Sequence, residues 1–525
     1  MFLTLILISV VVCLIVLYLW TTSSAYDYFK RHGIPGPPHQ FFFGHYKEFW
    51  RTKSFSTMIQ QWTKQYGSVY GLFMGTKPMY VVSDVDFIQE VYIKQFSSFH
   101  TRLIPSILRV RTDSNIHLFR ATGDSWRRQR HIINPTFSSR KLKLMSSLVD
   151  GCIDALLKKL SEEVKNEHTE INIYEMYKRL TMDVICRCAF GIDTDMQNDS
   201  NNMYLRKSAE VFKVDIEQML PFKICSVMPI FARPIHDVMF GIQHIQKAFA
   251  HSIPILNNLT PFPAQWLLQR LDEVLQLRYQ SMSYPQKRID LLQLMIDAAH
   301  DTKTSNETEG NGESKVLKHS EIIPNIFLFM IAGYETTSTA LAYSTYILAT
   351  HLDIQRQLFS EIDQHHIDHN DHDAVYDTAM NLTYLDLFVR EVLRMYPITS
   401  KAMARECNTT TTICGHTIEE GSIIQPDVFT IHYNPELWGP EDPNIFYPER
   451  HAEKRHPAAW MPFGIGPRSC IGIRFALMEL KMCLIRLLGE YEILASDRIE
   501  EGFRREERLV IQPDAIFVKL RKRSS

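Results

Sequence analysis

Phe463-Gly464-Ile465-Gly466-Pro467-Arg468-Ser469-Cys470-Ile471-Gly472 places one cysteine in a glycine-rich, proline-stiffened loop directly ahead of a long helical pattern. Glycines allow turns and close backbone approach that a Cβ would obstruct. Arg468 offers a rigid guanidinium fork suited to an anion. A thiolate in such a loop can serve as a metal ligand, haem iron included. The bland alternative is a buried cysteine beside a helix start. The flanking residues argue against it.

The spacing Phe463, Gly466, Arg468, Cys470 and Gly472 resembles the haem-binding loop of the cytochrome P450 family, whose single cysteine holds the iron. The resemblance implies a mainly helical fold with a small β region and haem b (iron protoporphyrin IX) on the Cys470 thiolate, with Phe463 and Arg468 among the cofactor contacts. It covers Ile34 to about Arg521. Within the family the chain most resembles the vertebrate drug-metabolising 3A subfamily and related animal P450s, through Ala332 to Thr337 and Cys470 to Met478.

Outward from the loop, Ser320 to about Thr350 is predominantly apolar and carries Ala332-Gly333-Tyr334-Glu335-Thr336-Thr337 at its middle. An acid and two hydroxyls in an apolar run are costly unless hydrogen-bonded or hydrated. The segment resembles the oxygen-activating helix of P450s. That resemblance implies a glycine that loosens the helix beside the haem, and makes Glu335 and Thr336 the proton-delivery pair. Leu328, Ile331, Ala332 and Thr336 recur at spacings of three and four, so they share one face, read here as the wall of a substrate pocket or equally as core.

Glu391 and Arg394, three apart in the helical stretch Leu385 to Tyr396, meet on one face. Pro397 follows closely. The stretch resembles the signature helix of the family, and Phe446-Tyr447-Pro448-Glu449-Arg450 its downstream partner, so Glu391, Arg394 and Arg450 form the implied structural triad. His451 stands where the family commonly has phenylalanine. Trp126 and Arg130 share a helical face, and with Arg405 and Arg468 they resemble the residues that address the haem propionates. The stretch after Pro397 holds one residue more than the 3A pattern, so the path past the pocket to Arg405 does not transfer directly. Phe119, Ile398 and Lys401 complete the substrate-pocket candidates, Lys401 as a group able to meet an anion.

Composition bounds the rest. The 525 residues are 45% hydrophobic and 22% charged with net charge −2, ordinary globular values that give no reason to expect a nucleic-acid partner. Nine scattered cysteines make no disulfide framework and no paired zinc spacing. The histidines at 365, 366, 369 and 372 read as a surface loop, and Asp301 to Ser314 as a solvated connection. From Phe2 to Trp20, nineteen residues carry no formal charge, nearly enough for a helix to cross a bilayer core. Lys30-Arg31-His32 follows, favouring a cytosolic C-terminal side.

These features divide the chain into an anchor over 1–22, a linker with a proline-rich hinge over 23–38, acting as a stiff spacer, and a catalytic domain over 39–525. The expected setting is the endoplasmic reticulum membrane, single-pass, with the catalytic domain facing the cytosol. Met219 to Pro263, apolar and broken by prolines, resembles the family's membrane-dipping cover over the active site. The implied activity is insertion of one dioxygen atom into a lipophilic substrate, with electrons from an NADPH-cytochrome P450 reductase and cytochrome b5 as a second candidate donor. The alternatives are a P450-fold isomerase or peroxide-utilising enzyme, which need no proton relay, and a non-catalytic haem-binding sensor.

Overall fold

The computed structural model describes residues 2–110, 116–164, 168–249, 263–281, 290–300, 317–365, 371–500 and 502–523. Helices dominate, and the longest within the body, the central helix His319–Thr350, is buried on most sides because helices Ile173–Ile185, Pro263–Ser281, Leu291–His300 and Ile473–Glu490 pack around it. A helix enclosed in this way must be apolar around its circumference. Its first turn is tied down by Glu321, whose carboxylate accepts from the Lys318 backbone N–H at 3.0 Å and from Arg128 at 2.8 and 2.5 Å.

The central helix runs unbroken through Gly333, which corrects the expectation of a loosened turn there. A Cβ at Gly333 would lie 2.5 Å from Ile185 Cδ1. The glycine therefore serves close helix packing.

The β region is small. A hairpin spans Val69–Met74 and Lys77–Val82, directly after helix Phe55–Tyr66. The hairpin joins Ile423–Pro426 in parallel, then Arg405–Glu406 and the edge strand Thr101–Arg102. In that last pair Arg102 stands directly opposite Arg405. Opposed residues of an antiparallel pair share a face, so the sheet delivers two guanidinium groups to one place.

An apolar stretch is divided into helices Ser139–Lys143 and Ser146–Glu163, with the Ser146 hydroxyl donating to the Lys143 carbonyl at 2.7 Å. A hydroxyl that takes a main-chain carbonyl competes with helix continuation. Upstream of helix Ile173–Ile185, residues Glu170–Asn172 form a strand against Phe517–Lys522. The helical run ends at Gly191, with φ +63°.

At the N-terminus, helix Phe2–Tyr26 stands largely clear of the body over its apolar span. The proline segment after it is packed on the body and is more than a stiff spacer. Tyr28, Phe29 and Ile34 are buried, the Phe29 ring fills the space a Cβ on Gly71 would need, and the Gly71 N–H donates to the Pro35 carbonyl at 2.8 Å. Backbone groups at a hairpin edge seek partners, and this segment supplies one. The segment from Met219 is helical over Leu220–Val227 and Ala232–Phe249, exposing Leu220, Ile230, Phe231 and Val238. Residues 250–262, the connection 301–316 and the histidines at 366 and 369 lie outside the described residues. Among the described residues no His, Cys, Asp and Glu group has metal-binding geometry.

Candidate active site

The cysteine loop is shaped by its backbone. The Cys470 N–H donates to the Phe463 carbonyl at 2.8 Å, closing the loop, and Ser469 N–H to Gly466 at 3.0 Å. Gly466 sits at φ +71°, and a Cβ there would lie 2.0 Å from the Tyr92 carbonyl oxygen. No side chain is tolerated on either count. Helix Ile473–Glu490 then begins directly after Gly472. Cys470 keeps accessible surface although protein surrounds it, so it faces an internal space. Burial pushes its thiol up, opposed by the Gly472 backbone N–H and by Arg130 and Arg102.

Four guanidinium groups converge on this loop. Arg130 donates to the Ser469 carbonyl at 2.8 Å and Arg102 to the Arg468 carbonyl at 2.9 Å. Arg468 stacks 4.6 Å over the Trp126 ring and donates to the carbonyls of Phe119 and Ala121. Arg405 donates to the Met403 carbonyl at 2.8 Å and lies 4.9 Å over the Tyr92 ring. Phe463 packs half-buried against the core. None of the four arginines is ion-paired to a carboxylate among the described residues, and the Nε atoms of Arg102 and Arg468 are buried without a partner. Burial, then Arg405 and Arg130, holds Arg468 down at about 9; burial, then Arg405 and Arg468, holds Arg102 well below its usual value.

Buried and half-buried cations that repel one another call for an anion. A thiolate and a cofactor bearing two carboxylates supply the missing negative charge, so these residues fit haem and its propionates. Arg102 was not singled out from sequence; in an undetermined loop it looks like any surface arginine.

The open side of the space is marked on the central helix. Ala332 is exposed and Thr336 partly so, while Ile331, Tyr334, Glu335 and Thr337 are buried. The Thr336 hydroxyl donates to the Ala332 carbonyl at 2.6 Å, which leaves its oxygen free to accept. Glu335 is turned away from Thr336, accepting from the Tyr174 hydroxyl at 2.5 Å. Successive helical residues diverge by about 100°, so the two do not share a face. Burial pushes the Glu335 carboxyl up, opposed by Lys178 and by the Tyr174 hydrogen bond.

Of the pocket candidates, Leu328 and Phe119 are partly accessible, whereas Ile331 and Ile398 are buried in the main core. Phe119 lies beneath the Arg102 guanidinium at 4.4 Å. The Leu118 N–H donates to Asn325 of the central helix at 2.8 Å, fixing this loop over the space. Lys401 is not free to meet an anion: Glu217 pairs with it at 2.8 Å.

The support beneath the loop is a buried carboxylate. Glu391 accepts from Arg394 at 2.7 and 2.8 Å, from Arg450 at 2.9 Å, from the Tyr447 N–H at 3.1 Å and contacts His451 Nε2 at 3.0 Å. Burial works to raise its carboxyl, but Arg394 and His451 outweigh it and bring it to about 2. His451 thus joins the triad as a fourth member. His432 adds a tie that sequence did not suggest. Its Nε2 accepts from the Met461 N–H at 3.0 Å, which leaves Nδ1 protonated to donate to the Arg394 carbonyl at 2.9 Å.

Comparison with known proteins agrees with this geometry. A family profile described as Cytochrome P450 matches residues 34–257 and 263–520. The chain is 32% identical over 520 residues to "Putative cytochrome P450 CYP13A4" of Caenorhabditis elegans, covering 97% of this chain and 96% of that protein. It is 31% identical over 513 residues to cytochrome P450 3A13 of Mus musculus, covering 95% and 93%. Cytochrome P450 3A29 of Sus scrofa matches at 32% over 484 residues, covering 91% and 88%.

Proposed function

The chain belongs to the cytochrome P450 family of haem monooxygenases, and from that premise we propose that it inserts one atom of dioxygen into a lipophilic organic substrate. The observation that carries the reading is a set of four arginines, Arg405 and Arg468 buried and Arg102 and Arg130 half-buried, none paired with a carboxylate among the described residues, gathered about the loop that holds Cys470 out into an internal space. Cys470 would hold the iron, and Arg102, Arg130, Arg405 and Arg468, with Trp126 packed beneath Arg468, would hold the propionates. When bound, the haem supplies reductive activation of dioxygen, favoured by the electron-rich thiolate.

The protein's own part is placement and proton handling. Thr336 presents an accepting oxygen to the open face, where it orders water or the substrate's neighbour. Glu335 is the buried acid one residue away, and it carries the exchangeable proton. Ala332, Leu328 and Phe119 offer apolar surface. The retained acid and hydroxyl favour monooxygenation over an isomerase or peroxide-driven reaction, neither of which needs protons for dioxygen cleavage.

The electrons come from an NADPH-cytochrome P450 reductase, with cytochrome b5 as an accessory donor. Helix Phe2–Tyr26 anchors the protein in the endoplasmic reticulum membrane, with the catalytic body on the cytosolic side. Leu220, Ile230, Phe231 and Val238 form a second apolar surface through which substrates reach the site from lipid. A carbon-monoxide difference spectrum of the reduced protein tests the core of the reading. Wild type should show the red-shifted band of a thiolate-ligated haem and Cys470→Ser should lose it; a wild type without that band would overturn the assignment.

A further inference from the structure

Tyr174 is fully buried on helix Ile173–Ile185, and its hydroxyl lies between two groups of the central helix one turn apart: Glu335 Oε1 at 2.5 Å and Thr339 Oγ1 at 3.1 Å. The Lys178 ammonium sits 4.0 Å over the Tyr174 ring and pairs with Glu175 at 3.0 Å. In sequence nothing sets Tyr174 apart. In the structure it is the hydrogen-bond donor to the acid that the proposed reaction draws on.

We propose that Tyr174 is a positioning residue that fixes the Glu335 carboxyl on the packed face of the central helix and, with Lys178, keeps it ionisable there. The inference rests on the proton-handling role given to Glu335 above.

The physical case has three parts. A carboxylate taken out of water favours the neutral acid unless donors and cations compensate. At Glu335 burial is the dominant influence, and the compensating groups are Lys178, the Tyr174 hydroxyl and Lys213, with Glu175 opposing. These groups come from the helices Ile173–Ile185 and Met203–Lys213, and Tyr334 is the titratable neighbour on the central helix itself. The phenol does not itself surrender its proton, because burial and the adjacent carboxyl push it far up. Its effect is therefore on where Glu335 points and at what pH it changes charge.

The test uses full-length, haem-loaded protein and reads Glu335 directly. Infrared difference spectra across a pH titration show the carbonyl stretch of the protonated acid, assigned as the band absent from Glu335→Gln. In Tyr174→Phe the titration midpoint should move upward by about one unit, since losing a donor to a buried charged group tightens proton binding about tenfold. Lys178→Met keeps the hydroxyl and should move the midpoint in the same direction. It decides the matter if Tyr174→Phe fails to fold. Midpoints at the wild-type value in folded Tyr174→Phe, or in Lys178→Met where the former does not fold, overturn the inference.

A turnover measurement separates this inference from the reaction it rests on. With reductase and a lipophilic probe substrate, the pH at which electron use shifts from product to peroxide should follow the infrared midpoint, and Tyr174→Phe should be silent in a Glu335→Gln background. A protein that does not oxygenate but shows the infrared shift loses the monooxygenase reading and keeps this one. An oxygenase whose Glu335-dependent pH limb ignores Tyr174→Phe does the reverse.

Discussion

His451 occupies a position where the family pattern favours an aromatic ring, and its imidazole is bound to the most buried carboxylate of the site. Burial lowers its pKa, against the pull of Glu391. A histidine whose folded pKa is depressed contributes stability above its unfolded value of about 6.5, and that stability is lost as pH falls below it. Wild type should therefore lose thermal stability between pH 7 and pH 5 more steeply than His451→Phe, measured by circular dichroism melts; equal slopes would exclude the histidine as the cause. Glu391, at about 2, runs in the same sense but further down, its contribution present above the usual carboxylate range and lost only in strong acid. Arg394→Met takes one cation and two hydrogen bonds from this buried carboxylate, leaving Arg450, His451 and the Tyr447 N–H, and should cost about 3–5 kcal/mol in denaturant unfolding. At this scale the sequence was informative where a motif specified both residue type and spacing, as for Cys470, Glu391 and Arg450. It was silent for Arg102, Tyr174 and His432, because each acts through a contact with a segment remote in the chain.

The central helix shows how an element can be recognised correctly and explained wrongly. Its apolar length and its acid–hydroxyl pair were legible, since both are local. The role of Gly333 was not, because it depends on Ile185 of another helix. Adding a methyl in Gly333→Ala removes about 1 kcal/mol of helix-propensity penalty but forces the Ile185 end aside, and overpacking costs about 1–3 kcal/mol. Destabilisation should win in the single variant, and Ile185→Val should reverse it. A double-mutant cycle by chemical denaturation checks this; additive effects would show that the two helices do not meet there. The divided helix around Leu144 has a similar lesson, since a serine hydroxyl on a nearby carbonyl is a small local event that a hydrophobic stripe does not report.

Across the whole molecule the N-terminal region has two energetically distinct parts that hydropathy alone does not separate. The span Phe2 to Trp20 is exposed along its length, touching the body through Tyr18 edge-on to Phe42 at 6.2 Å, so the body gains little from it. Residues Tyr26 to Pro35 are instead part of the second core: Tyr26, Tyr28, Phe29 and Ile34 are buried with Phe73 and Tyr80, and the Tyr28 hydroxyl meets that of Tyr80 at 3.1 Å. Burying a large apolar side chain contributes about 1.5–3 kcal/mol, so four of them rival the net stability of about 5–15 kcal/mol typical of a folded protein. Deleting residues 2–20 should leave the thermal midpoint and the carbon-monoxide spectrum unchanged while converting carbonate-resistant membrane association into a form that alkaline washing releases. Residual binding to vesicles should persist, because Leu220, Ile230, Phe231 and Val238 remain exposed. Deleting residues 2–38 should lower the midpoint sharply and reduce haem content, since the sheet that carries Arg405 loses the packing on its hairpin. Equal stability of the two truncated proteins would show that the proline segment is only the stiff spacer its sequence suggests, and that its packing on the hairpin contributes no stability.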